Sequence, residues 1–200
     1  MSNIQPEIPD ELKFLATIGF VSMQWALFEH HVLFIIYTIE VIPAEHGDII
    51  YGGLDWRPRL NMAINLAKRH NLPPPLQKRL RAIRAEVTDK KLAERRNTAV
   101  HGVHKSGKID GEYTLTMPRL PEPNKHTVLT AYDLKDLGDE INALSNKTLE
   151  LMTDIGNWRM SDHGSKNRLH SIPIREPEGG VGIAKSFYAR TKHLFGNFWG

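Results

Sequence analysis

Apolar residues crowd the stretch from Ile18 to Ile42 so densely that, wound as a helix, they cover most of its circumference. That pattern belongs to a helix buried on several sides. Asp10, following Pro9, is placed to cap it, so one long helix is expected over residues 10–42. The stretch approaches a membrane span in length. However, Gln24, Glu29, His30 and His31 fall at its centre, where lipid makes charge costly. The central helix of a bundle, shared with a second subunit, accounts for it better, and no membrane contact is expected.

Downstream the apolar residues narrow to stripes. Pro43 and the segment His46 to Gly53 read as a loop. Leu60, Ile64 and Ala67 keep helical spacing and predict a second helix over about 54–70. The run Asn71-Leu72-Pro73-Pro74-Pro75 breaks it. Leu76, Leu80, Ile83, Val87 and Leu92 then predict a third helix over about 75–100, with Gly102 as its stop. Residues 108–116 read as a hairpin turning at Asp110-Gly111, and Thr127 to Thr130 as another short strand. Pro118, Pro121 and Pro123 argue against regular structure between them. A fourth helix is expected from about Asp133, with Asp136 in a capping-box-like pair, carrying Leu134, Leu137, Ile141, Leu144, Thr148 and Leu151 on one stripe to about Ile155. The fold expected is all-α: a bundle of four to five helices over residues 1–158, with a hairpin insertion at 105–130 and a basic C-terminal tail over 159–200. Within that tail, residues 184–195 could form a short amphipathic helix.

Composition adds two constraints. The chain has no cysteine, which excludes disulfides, thiolate metal sites and a cysteine nucleophile. Its N-terminus lacks the basic region that opens a secretory signal, so a cytoplasmic location is expected. The net charge of +3 hides an uneven distribution. Between residues 68 and 96 stand ten Lys/Arg against only Glu86, Asp89 and Glu94. This is either a solvated helix face or an electrostatic footprint for phosphate.

The basic run ends in Arg96-Asn97-Thr98-Ala99-Val100-His101-Gly102. Arginine stays charged and presents a planar fork that fits phosphate. Histidine titrates near neutrality and serves as base or acid. Asn97 and His101, at i and i+4, share a helix face, whereas Arg96 starts about 140° from His101 and must swing round to meet it. Together the three could supply what RNA cleavage by its own 2′-hydroxyl needs: charge stabilisation at the phosphoryl oxygens, an orienting hydrogen bond and proton transfer. One histidine cannot readily be base and acid in one step. A two-fold dimer would bring two copies of Arg96 and His101 into one cleft.

This heptapeptide resembles the R-x4-6-H signature of HEPN domains, in its Arg-Asn-x-x-x-His-Gly form. The resemblance in helix order extends over about residues 10–156. It implies a helical bundle, usually homodimeric, and metal-independent endoribonuclease activity leaving a 2′,3′-cyclic phosphate, with no cofactor. Many such proteins are toxins or antiviral effectors restrained by an antitoxin or regulatory protein. Others only bind RNA or nucleotide. In some toxins of the family a tyrosine two residues past the histidine is modified by a partner enzyme. Here that position is Val103, so regulation of that kind is not expected. Arg96 and His101 match the two motif positions, with Asn97 as the favoured polar residue between them. Arg95 also satisfies the spacing to His101, which leaves two candidates for the active arginine.

Around this core, Lys91, Arg95, His104 and Lys105 are expected to add backbone affinity for RNA. Glu29 either orients a motif residue such as Arg96 or faces a polar groove without a chemical role. The pair His101 and His104 lacks an evident third ligand, so no metal site is expected. His30, His31, Trp25, Trp56 and Trp158 read as packing residues, and Trp199 as a tail residue able to stack on a base. Two other functions remain compatible with the sequence: a non-catalytic RNA- or nucleotide-binding module, and a structural helical partner.

Overall fold

The computed structural model describes residues 9–101, 105–109, 112–119 and 122–161. Among these the chain is mostly helical, with six helices and a small sheet: α1 (Asp10–Glu40), α2 (Ala44–Tyr51), α3 (Trp56–Arg69), α4 (Pro74–Asp89), α5 (Leu92–His101), β1 (Lys105–Ile109), β2 (Glu112–Arg119), β3 (Glu122–Thr130) and α6 (Ala131–Met160). Helix α6 runs on past the expected start of the tail at residue 159, and residues 162–200, including 184–195 and Trp199, lie outside the described residues.

The long first helix is the axis of the bundle, as its all-round apolarity predicts. Phe28, Val32, Ile35, Ile36 and Ile39 are fully buried against α6 and α3. The apolar stripe of α6 faces it, with Leu134, Ile141, Leu144 and Leu151 wholly removed from water. Gly138 lets the two helices approach closely, since a Cβ there would stand 2.4 Å from the Phe20 ring. Trp25 and Trp56 pack edge to face at 6.1 Å, joining α1 to α3. By length and composition the segment Leu12–Glu40 could also cross a membrane, and 39% of its most apolar stretch is buried in this bundle.

Two polar ties fix α1. At mid-helix, His31 Nδ1 lies 3.1 Å from the Ser145 carbonyl and 3.0 Å from its hydroxyl. At the C-terminal end, the buried Arg159 guanidinium donates to the Ile39 carbonyl and, at 3.1 Å, to His70 Nδ1. His70 therefore carries its proton on Nε2, 3.0 Å from Glu40 Oε1.

Burial lowers the pKa of His31, against the opposing hydrogen bond to the Ser145 carbonyl, and burial lowers that of His30 as well. In the folded chain these rings resist protonation, so the unfolded chain takes protons first as pH falls through about 6.5. Stability is therefore expected to drop on acidification below that point. Chemical denaturation at neutral and mildly acidic pH measures the drop, and His31→Asn should make it shallower. An unchanged pH slope in that variant would contradict the assignment.

Several details depart from the sequence-based expectation. Helix α1 begins at Asp10 with Pro9 as its N-cap, and no side chain caps it. The expected loop at 46–53 contains α2, whose Gly47 packs onto the Tyr37 ring and whose Asp48 accepts a 2.6 Å hydrogen bond from Tyr37. The third helix is two helices, broken at Lys90-Lys91, where Lys91 is left-handed with φ 51°. The cause lies in the apolar phase. Leu92 follows Val87 by five residues, or about 140° on a straight helix, and would turn away from the core. The break resets the phase and buries both Leu92 and Ala93.

The hairpin is present, with Ile109 opposite Glu112, and β3 extends it to a three-stranded antiparallel sheet in the order β1-β2-β3. The prolines do not prevent this. Pro118 sits in β2 where the register shifts at Pro118/Arg119, and Pro123 lies near the start of β3. Helix α6 is capped by Thr130 and Asp133 rather than by a pair involving Asp136. The Thr130 hydroxyl accepts from the Asp133 amide at 3.1 Å, while the Asp133 carboxylate accepts from the Thr130 amide at 2.8 Å.

Candidate functional site

Helix α5 is short, and its inward face is Leu92, Ala93 and Ala99, with Val100 packed at the edge of the core. Burying these residues leaves Asn97 and His101 on the outer side, whereas Arg96 starts within the inward arc, is half-buried and reaches out from it. Arg95 secures the orientation from the flank by donating to Glu140 of α6 at 3.0 Å. The kink that separates α5 from α4 thus also sets the direction of the motif.

Arg96 Nη1 is the hub of the site. It donates to Asn97 Oδ1 at 3.0 Å and stands 3.0 Å from His101 Nε2. A guanidinium has no acceptor, so Nε2 accepts and the imidazole is in its neutral form with the proton on Nδ1. The side chain of Arg96 has indeed swung round the helix to reach a residue five positions on. Both Nη1 protons are then engaged. Nη2 makes no hydrogen bond among the described residues, whereas Nε is buried and unpartnered. His101 and Asn97 are exposed and Arg96 is half-buried. The arrangement thus holds a permanent cation against the acceptor nitrogen of an exposed imidazole, whose lone pair Arg96 occupies in this structure.

The other expected site residues divide. Arg95 is turned away from His101 by its ion pair with Glu140, so the two arginines allowed by the spacing occupy different places. Lys91 is exposed at the helix break. No hydrogen bond or ion pair joins Glu29 to Arg96 among the described residues, and Glu29 is half-buried on α1. Of the two readings of Glu29, contact with Arg96 is not seen among the described residues, where Asn97 holds the guanidinium. His104 lies outside the described residues, as does the side chain of Lys105, whose backbone opens β1. Among the described residues, no cluster of three or more His, Asp or Glu is placed to hold a metal.

Sequence reasoning did not separate the charges of the basic run by partner. Arg79 pairs with Asp154 of α6. Lys90 reaches Glu86 at 2.9 Å and Glu140 at 3.9 Å, and Lys147 of α6 reaches Glu86 at 2.8 Å. Partial burial works against the Glu86 carboxylate, but the hydrogen bonds from Lys147 and Lys90 outweigh it and hold its carboxyl below the usual range. One side of the run is therefore neutralised against α6. The acids responsible sit mostly in α6, well apart in sequence, where a local charge count does not reach them.

What fold and site define is a mostly helical protein bearing an exposed Arg–Asn–His constellation at a helix end. The chain matches no family model, no curated protein and no solved structure.

Proposed function

We propose that the protein is a metal-independent endoribonuclease of HEPN type, cleaving RNA to a 2′,3′-cyclic phosphate. The observation that carries this reading is the 3.0 Å contact between Arg96 Nη1 and His101 Nε2 on an exposed surface. Arg96 stabilises charge developing on the phosphoryl oxygens. His101 acts as the base for the 2′-hydroxyl proton once Arg96 turns from its Nε2 to the phosphate and frees that nitrogen. Asn97 holds Arg96 in place rather than touching the substrate. Arg96, with the geometry on its side, takes the active role that the spacing alone left shared with Arg95.

The acid that protonates the leaving 5′ oxygen comes, in this reading, from a second copy of the chain. Support for a homodimer lies on α1, where Leu12 and Leu15 are 54% and 63% exposed and Gly19 and Ala26 continue the exposed side at helical spacing. RNA is the partner, with Lys91 and Lys105 adding backbone affinity. A role as a toxin or antiviral effector, restrained by an antitoxin or regulatory protein in the cytoplasm, follows from the family resemblance and rests on it alone. The same resemblance allows a binding module that has lost catalysis.

Incubating purified protein with transfer RNA in EDTA tests the reading. Fragments ending in 2′,3′-cyclic phosphate are expected. RNA left intact at protein concentrations that saturate binding would favour the binding module instead.

A further inference from the structure

On helix α4 the basic residues fall on two different sides. Arg79 and Lys90, with Glu86 between them, face α6 and are paired there. Lys78, Arg81 and Arg84 are exposed, and none of the three makes an ion pair or hydrogen bond among the described residues. Their spacing is i, i+3, i+6. Each step of three returns to within about 60° of the last, so they form one stripe about 9 Å long along the helix. The stripe avoids the buried positions Leu80, Ile83 and Val87. Thr88 and Lys91, also exposed, extend this side of the chain towards the break that leads into α5.

Three unpaired cations on one stripe repel each other, and no acid among the described residues relieves them. Paired cations have already given up their counterions to carboxylates and gain little from a phosphate. Unpaired ones still hold counterions to release, and that release is the main source of affinity for a polyanion. Resting on the reading of Arg96 and His101 as the cutting site, we propose that Lys78, Arg81 and Arg84 bind the phosphates flanking the scissile one, so that the enzyme prefers polymeric RNA to short RNA and recognises it by backbone rather than by base. The substrate class follows from the surface, since a stripe without aromatic side chains or amide groups offers phosphate contacts and no base readout. Arg95 and Lys90, spent on Glu140, contribute little to this grip.

The test compares two substrates. A uridylyl-adenosine dinucleotide has one phosphodiester, the one to be cut, and so has no flanking phosphate to offer α4. Polyuridylate has many. The variant Lys78→Gln/Arg81→Gln/Arg84→Gln alters only exposed side chains without partners among the described residues, so it should fold as the wild type does. Its dinucleotide cleavage should equal that of the wild type. Its kcat/KM on polyuridylate should fall about tenfold or more through KM, and the slope of log affinity against log salt should shrink by about 2. A control, Arg79→Gln/Lys147→Gln, removes charges already paired with Asp154 and Glu86 and should leave that slope unchanged. Equal salt slopes for wild type and triple variant would overturn the proposal, even if both cut the dinucleotide. If the wild type cuts neither substrate, the ribonuclease reading fails, and polyuridylate binding still decides whether the stripe grips a nucleic-acid backbone.

Discussion

His101→Ala is expected to lower the rate of RNA cleavage by about a thousandfold, in the range that loss of a positioned general base or acid produces. Among the described residues the side chain holds no other element in place. The residue is exposed, it ends helix α5, and among the described residues its side chain bonds to Arg96 alone. Circular dichroism and thermal stability should therefore match the wild type, and RNA binding should persist. Arg96→Lys should be nearly as damaging while keeping the charge. An ammonium group cannot hold Asn97, His101 and a phosphoryl oxygen in the fixed geometry of a guanidinium. If His101→Ala retained wild-type cleavage, the constellation would have no catalytic part.

Arg159→Met should cost the fold far more than any substitution at the exposed site, at about 3 kcal/mol. The guanidinium is buried at the end of α6 and donates to the Ile39 carbonyl in the last turn of α1. No basic residue of α1 itself stands in that turn, so Arg159 supplies both the hydrogen bond and the positive charge that a helix C-terminus favours. It also fixes the tautomer of His70, which in turn meets Glu40. Methionine fills similar volume but leaves the carbonyl and the imidazole unsatisfied. A melting temperature lowered by roughly 6–12 °C is expected by calorimetry. A change within about 2 °C would mean that the network is replaced by water at little cost.

How much of this was legible from the sequence depends on the range of the forces involved. Long apolar periodicities reflect burial along one element, so α1 and the stripe of α6 could be read directly. The break at Lys90-Lys91 was also written in the chain, as the five-residue step from Val87 to Leu92, but it shows only when the phase is followed across the charged residues. Helix α2 was hidden because Gly47 and the Gly52-Gly53 pair signal a loop, whereas Gly47 serves the close packing of Tyr37. At the site, Arg96, Asn97 and His101 lie within one local segment, and the structure brings them together. Glu29 was a guess across elements, and so was the choice between Arg95 and Arg96. Those depend on which residue of α6 stands opposite, and Glu140 cannot be paired with Arg95 without the fold. The same limit concealed the division of the basic run into a neutralised side and a free one.

The most direct test of the proposed chemistry is cleavage of a DNA oligonucleotide containing a single ribonucleotide, carried out in EDTA with the products identified by mass spectrometry. Attack by the 2′-hydroxyl predicts one cut, on the 3′ side of that ribonucleotide, leaving a 2′,3′-cyclic phosphate in the wild type and no cut with His101→Ala. Cuts at deoxynucleotides, or a 5′-phosphate product, would contradict it.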